Sequence, residues 1–374
     1  MKKIRMVVAD NNKDYLESFA GFMRSSNESS RFIMTYFSDI DRLNTYIQRG
    51  DIIDILLISP DLYDEELPLS GDVTTIFLED DVIEESNKAY SVYRYQRLDQ
   101  ILSDILSVYY EKNKIAGEML ARSKETQIFA VFSPSGGSGK TTIAVNLCKQ
   151  LALNDLKVFY LNSETFNTSR LYFSSQDDDY SLKILYYVKS KTEQLLSKIE
   201  QLKKHDPDVG VDYFDLETNA EEMLELTEKE IHLLLNGLVQ TGAYDYIIVD
   251  LDSSIHTRNI AMLKESDWIV WPMGNNPQSI YQSESFFEEE ENVFGKKNII
   301  KDKLLVLLNK HTGHNAFDLS EAGFPIDGNL PFINEWTQQT SGKEVMENEM
   351  FNNELQKIIR NKILVLEGEQ LSHG

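Results

Sequence analysis

The amino-acid sequence predicts an α/β protein made of two parallel, doubly wound sheets, and three features predict it. Over residues 1–110, short β-forming runs alternate with helical patterns, the signature of a parallel sheet with crossover helices. At Ile128-Phe-Ala-Val-Phe-Ser-Pro-Ser-Gly-Gly-Ser-Gly-Lys-Thr-Thr-Ile-Ala-Val-Asn-Leu147 an apolar run breaks into a small-residue turn and then into a helix. At Tyr244-Asp-Tyr-Ile-Ile-Val-Asp250 a continuous apolar pattern reads as a strand buried on both faces and ending in an acid.

The elements follow in order. Residues 2–9 form a strand ending at Asp10-Asn11-Asn12, followed by a helix carrying Tyr15, Phe19, Phe22 and Met23. Strands at Phe32–Phe37, Asp54–Ser59, Thr74–Leu78 and Val92–Tyr95 are interleaved with helices over Ile40–Gln48 and Leu98–Tyr110. Residues 111–126 read as a polar, lysine-rich helical linker, with a boundary near Thr126 and a second domain over 127–374. That domain continues with a strand at Lys157–Leu161, a charged helical stretch over 181–204 and a short strand within Gly210–Phe214. Thr227 and Glu230 give the capping-box pattern for a helix to Leu238. Further strands fall at Trp268–Met273 and Leu304–Leu308, then an extended segment at Leu330-Pro331-Phe332. Residues 351–366 place Leu355, Ile358, Ile359, Ile363 and Leu366 at helical spacing, as a helix packed on the sheet or one lying on a membrane surface.

Composition narrows the function. The net charge of −24 argues against coating nucleic acid by phosphate neutralisation and against general adhesion to anionic lipid. Membrane association is expected to be peripheral at most, because no apolar stretch approaches the ~20 residues of a spanning helix. The short apolar run after Met1-Lys2-Lys3 ends in an acid and does not make a signal peptide. Cys148, the single cysteine, falls in a helix as a small hydrophobe, so the expected location is the cytoplasm.

The turn at 133–142 carries the chemistry. Gly136, Gly137 and Gly139 permit positive φ, so the backbone N–H groups of 136–142, Ser138 and Thr142 included, are expected to curl around an anion. Lys140 brings a point charge to the outer phosphates, and the Thr141 hydroxyl is suited to Mg2+. The helix that starts there aims its positive end at the same spot. Pro134 stands where the usual spacing asks for glycine and removes one N–H. Asp250, at the end of its strand, is the expected second holder of the metal.

Two family resemblances rest on these residues. The first domain resembles a response-regulator receiver in element order and length. Asp10 remains of that family's acidic pair, Asn11 replaces the other acid, and Ser59 stands at the phospho-accepting aspartate. Glu79 falls at its hydroxyl residue and Arg94 at its lysine, while Asp61 lies past the turn. The resemblance implies a degenerate receiver used for docking. The second domain resembles the ParA/MinD ATPases through Gly136–Thr142, Asn162-Ser163-Glu164, Tyr244–Asp250, Asn309-Lys310 and Pro331-Phe332. That resemblance implies ATP sandwiched in a homodimer, with Asn309, Pro331, Phe332 and Ile333 at the adenine. It also implies Asn162 and Glu164 at the attacking water, and Lys140, Glu164 and Asp250 as the catalytic set. Ser135 replaces the group's signature lysine and Asp252 stands where proline is usual, so tight ATP binding with weak hydrolysis is expected.

The pairing of the two domains is similar to the TadZ/CpaE family of Tad pilus systems. That likeness implies a factor at a cell pole that recruits pilus and secretion proteins, with no DNA bound. Two other readings stay open: a ParA-type partition ATPase on DNA, and a response regulator with ATPase output. A metabolic enzyme of the same fold lacks a recognisable second-substrate site.

Overall fold

The computed structural model describes residues 3–64, 66–80, 90–113, 126–174, 183–216, 219–296, 299–313, 325–337 and 341–364. The chain divides into two compact units. Unit 1 comprises residues 1–123, 190–201 and 237–243, and unit 2 comprises 124–189, 202–236 and 244–374. Two short segments from later in the chain thus group with the first unit.

Unit 1 is a five-stranded sheet of β1 (Ile4–Ala9), β2 (Phe32–Phe37), β3 (Ile55–Ile58), β4 (Thr74–Glu79) and β5 (Ser91–Tyr93). The order is β2-β1-β3-β4-β5, and every pairing is parallel. This is the doubly wound order in which strand order reverses beside β1. Two-residue periodicity builds both faces. Met6, Val8, Ile55 and Leu57 join Phe19, Ile101 and Ile105 in one core, while Val7, Ala9, Leu56 and Ile58 join Leu43 and Ile47 in the other. The helices start where the sequence supplies caps. Asn12 accepts the Tyr15 N–H at the head of Lys13–Ser25, and Asp39 accepts the Arg42 N–H at the head of Ile40–Gln48.

Residues 190–201 add a helix, Leu195–Leu202, to this unit. Leu196 enters the core with Ile101 and Ile105, and Ser197 Oγ lies 2.6 Å from Ser107 Oγ on the Leu98–Lys112 helix. Arg31 donates to Glu200 Oε1 at 2.6 Å and to the Tyr110 hydroxyl at 3.0 Å. Glu200 and Arg31 are both buried, so each neutralises a charge the other cannot expose to water. The charged helical stretch over 181–204 thus holds two helices, Lys183–Ser190 and Leu195–Leu202, and runs into a strand at Lys204–Asp206. Residues 181–182 lie outside the described residues.

Unit 2 holds an eight-stranded sheet. Its strands are β6 (Gln127–Val131), β7 (Val158–Asn162), β8 (Lys204–Asp206), β9 (Val211–Tyr213), β10 (Tyr246–Asp250), β11 (Trp268–Gly274), β12 (Leu304–His311) and β13 (Gly328–Pro331). The order is β13-β12-β11-β6-β10-β7-β9-β8, parallel throughout except for β8 on β9. Strands β6, β7 and β10 are buried at every position, as their unbroken apolar runs demand. The helix Lys140–Ala152 follows β6 and sinks Ile143, Leu147, Cys148 and Leu151 into the core, where burial pushes the Cys148 thiol far up and leaves it a packing group. Thr227 and Glu230 form the reciprocal cap at the start of Glu228–Gln240. At the other end, Phe351, Leu355, Ile358, Ile359 and Ile363 all lie in the core, so this face of the terminal helix is spent on the sheet. Leu366, and residues 114–125 of the expected helical linker, lie outside the described residues. Among the described residues, no helix is long and apolar enough to cross a membrane.

Candidate functional site

The candidate site of unit 2 lies at the carboxyl ends of β6, β7, β10 and β12. In an open parallel sheet, crevices form at these ends where neighbouring connections diverge. Between β6 and the Lys140–Ala152 helix, Gly137 has φ 68° and Gly139 φ 93°, conformations that glycine reaches without steric cost. Gly139 is needed twice over, because a Cβ there would fall 2.2 Å from Asn309 Nδ2. Gly136 precedes this pair, and Lys140, Thr141 and Thr142 form the first turn of the helix, whose N–H groups have no partner within it. Ser138 is buried, and its Oγ makes no hydrogen bond among the described residues. Ser133 Oγ accepts the Ser135 N–H at 3.3 Å, so a side chain braces the loop entrance beside Pro134.

The lysine and the carboxylates converge here. Lys140 Nζ donates to Ser253 Oγ at 2.6 Å, and Ser253 Oγ donates to Ser135 O at 3.3 Å. Burial draws the Lys140 ammonium below the usual lysine range, opposed by Asp250, Glu164 and Asp252. Asp250 is fully buried. Burial first, then the Glu164 charge, pushes its carboxyl up to about 8, while the Tyr160 hydroxyl and Lys140 pull the other way. Tyr160 donates to Asp250 Oδ2 at 2.9 Å, and Asp250 Oδ1 has no hydrogen-bond partner among the described residues. The Thr141 hydroxyl faces Glu164 Oε1 at 3.5 Å and lies close to Asp250.

The side chains after β7 orient one another. Asn162 Oδ1 accepts the Glu164 N–H at 2.9 Å, and Asn162 Nδ2 reaches the Tyr160 hydroxyl at 3.2 Å and Glu164 Oε2 at 3.3 Å. Asn162 thus holds Glu164 in place and carries no proton-accepting charge of its own. Asp252 is not a ligand group. It binds Arg258, the Asn259 amide at 2.7 Å and the Thr165 hydroxyl at 3.1 Å, and the fully buried Arg258 also donates to Ser163 O at 3.0 Å. Burial works against the Asp252 charge, yet Ser254 and Arg258 hold its carboxyl down at about 2. The acid that replaces proline is a strut joining the loops after β7 and β10.

At the β12 end, Asn309 Nδ2 donates to Ser138 O at 2.8 Å and Lys310 Nζ donates to Gly137 O at 2.8 Å. Pro331, on neighbouring β13, pairs with His311, and the Phe332 N–H donates to His311 O at 3.0 Å. Phe332 is partly exposed, whereas Ile333 points into the core. Lys140, Thr141, Glu164 and Asp250 come together, Asn309 reaches the loop, and Pro331 and Phe332 sit one strand further out.

A magnesium ion fits this donor set. Asp250 Oδ1 is a buried acceptor with no partner among the described residues, and the carboxyl raised by burial and by Glu164 would be relieved by a dication. Thr141 and Asp250 are the residues that would hold it. Tyr160, Ser253 and Arg258 were missed by sequence reasoning, and Lys310 was named there only as part of Asn309-Lys310, without a role. Tyr160 offered one signal, a hydroxyl-bearing residue inside an otherwise apolar buried strand two positions before Asn162.

In unit 1, Asp10 is fully buried at the end of β1, and Arg94 Nη2 lies 2.9 Å from its Oδ2. Arg94 Nη1 also reaches Asp80 Oδ1 at 3.1 Å, and its guanidinium stands 5.6 Å over the Tyr15 ring. Ser59 is buried at the end of β3, Asp61 lies in the single helical turn that follows, and Glu79 ends β4.

Residues 126–301 match the family model described as AAA domain. Comparison with curated proteins gave no match. The ParA family ATPase from Chlorobium tepidum TLS superposes with a TM-score of 0.51 at 20% identity, covering 63% of this chain and 98% of that one. The septum site-determining protein MinD of Pyrococcus horikoshii OT3, complexed with Mg-ADP, gives a TM-score of 0.47 at 15% identity over 64% of this chain and 97% of its own. A plasmid partition protein from Borrelia burgdorferi gives 0.42 at 19% identity, over 63% and 99%. Residues 126–301 thus match an AAA domain model, and unit 2 is similar in fold to the ParA family ATPase.

Proposed function

We propose that this protein binds ATP with magnesium in unit 2, pairs with a second copy of itself when loaded, and hydrolyses the nucleotide slowly. The observation that carries the reading is the loop at 136–142 closing on Lys140, above a buried carboxylate oxygen of Asp250 that lacks a partner among the described residues. Magnesium would supply charge neutralisation at the phosphates. Lys140 would exchange Ser253 for phosphate oxygens, the loop N–H groups would receive the rest, and Glu164, held by Asn162, would orient the attacking water. Slow turnover is inferred from Ser135, which brings no cation where the ParA/MinD resemblance expects one. Asn309, Pro331, Phe332 and Ile333 are the proposed adenine contacts.

Unit 1 is read as a receiver-like docking module without phosphoryl chemistry. Ser59 stands where the acyl-phosphate would form, and Arg94 already neutralises Asp10. By resemblance to the TadZ/CpaE family, the assembly would work at a cell pole, gathering proteins of a Tad pilus and secretion machinery. The alternatives differ in measurable ways. A DNA partition ATPase would shift duplex DNA at low salt, which a net charge of −24 disfavours. A phospho-switch would label with a small phosphodonor. The deciding experiment is mass in solution with and without Mg–ATP. A chain that doubles its mass only with nucleotide supports the reading, and one that stays monomeric at saturation rejects self-pairing.

A further inference from the structure

We infer that Asn309 and Lys310 are positioning residues that set the phosphate loop in its anion-accepting form before any ligand arrives, with Lys310 supplying the loop's second cation. The inference rests on the proposed nucleotide site. Its first support is a break in the sheet. The register between β12 and β13 shifts between Leu308 and His311, and a bulge of this kind re-aims the side chains it contains. The two residues inside the break, Asn309 and Lys310, both turn to the loop, and they bond consecutive carbonyls, those of Ser138 and Gly137.

The consequence follows from the peptide plane. In a trans peptide the carbonyl and the next N–H point in opposite directions. Holding the oxygens of Gly137 and Ser138 on the β12 side turns the N–H groups of Ser138 and Gly139 away from it, into the cradle. Backbone strain points the same way. Lys310 has φ 58°, a conformation a lysine adopts at a cost and a glycine freely. The side chain at 310 is thus matched to something other than the backbone, and its ammonium rests on Gly137 O at 2.8 Å. The loop has no basic residue at Ser135, so Lys310 adds charge from outside the loop where the loop itself adds none.

The test is titration calorimetry of the full chain with Mg–ATP and with inorganic tripolyphosphate, which has no base or sugar. Lys310→Gly removes the ammonium and suits the backbone angle, so it should melt at or above the wild-type temperature. It should also bind both ligands about tenfold more weakly. Lys310→Arg should return to within about threefold of wild type for both. Lys310→Gly binding tripolyphosphate as tightly as wild type would overturn the inference, as would a loss confined to ATP, which would assign Lys310 to the base or sugar. A lowered melting temperature without rescue by arginine would mark a structural role and also reject it. Failure of the wild-type chain to bind either ligand would instead remove the nucleotide-site reading on which the inference stands.

Discussion

Both parallel sheets gather charge at the carboxyl ends of their strands, and the two gatherings are neutralised differently. In unit 1 the buried Asp10 is met by Arg94, which also reaches Asp80, so the cation the carboxylate needs is a side chain of the same chain. In unit 2 the buried Asp250 has, among the described residues, a tyrosine hydroxyl on one oxygen, the Thr141 hydroxyl nearby, a like charge in Glu164 beside it, and Lys140 engaged by a serine. A site that satisfies its own charge has little free energy left for a ligand. One that leaves a buried acceptor without a partner is destabilised until something binds, and that deficit becomes affinity. Burial raises the carboxyl at both sheet ends, and each has one oxygen without a hydrogen bond among the described residues; the difference is that Asp10 has a close guanidinium in Arg94, whereas the lysine beside Asp250 is bonded to Ser253.

The contrast can be broken at Arg94. Arg94→Ala strands Asp10 without its cation and should lower the stability of the chain by about 3 kcal/mol in a denaturant melt, with little effect on nucleotide affinity. Asp10→Asn combined with Arg94→Met should recover most of the loss. An equal loss of nucleotide binding in Arg94→Ala would show that the two sites do not differ in the way described.

Lys140→Ala should weaken Mg–ATP binding about 100-fold, roughly 2.7 kcal/mol, in the same titration. Its own stability should fall little, since the lost attraction to Asp250, Glu164 and Asp252 and the lost bond to Ser253 are offset by relief of burying the ammonium.

Asp250 sharpens the contrast through pH. Its folded-state pKa, about 8, lies above the unfolded value of 3.8. The stability linked to this proton is therefore complete below about pH 4 and is lost as the pH rises towards 8. Asp250→Asn removes the ionisation, so the free variant should gain on wild type by about 2 kcal/mol between pH 5 and pH 6.5. Saturating Mg–ATP should raise the wild-type melting temperature most at the alkaline end, and chelating the magnesium should cancel that gain. A pH-independent difference between variant and wild type would place the carboxyl elsewhere on the scale.

The smallest effect expected is a gain. Ser135→Lys restores a cation at the loop entrance and should raise steady-state ATP turnover by about tenfold without tightening binding. Unchanged turnover would mean that Ser135 is not what limits hydrolysis.

Much of this was legible in the sequence because it depends on neighbours along the chain. The glycine turn, the burial of β6, β7 and β10, and the Thr227–Glu230 cap follow from local sterics and from two-fold or 3.6-fold periodicity. So does the convergence of Lys140, Thr141 and Asp250, since a parallel sheet brings the ends of its strands to one edge. Where the 181–204 stretch packs was not legible, because charge and periodicity gave no sign that Leu196, Ser197 and Glu200 belong with Arg31 and Ser107 of unit 1. Asp252 read as an odd replacement for proline because Arg258, Asn259 and Thr165 are its partners only in space. The sequence alone determined that there is a glycine turn opening a helix with a lysine, and a buried strand ending in an acid, since those are properties of short segments. Tertiary structure alone decided how each charge is answered, through Arg94 on Asp10, Ser253 on Lys140, and Asn309 and Lys310 on the loop. Such pairings join residues tens to well over a hundred positions apart, and no local pattern encodes which distant partner a folded chain will present.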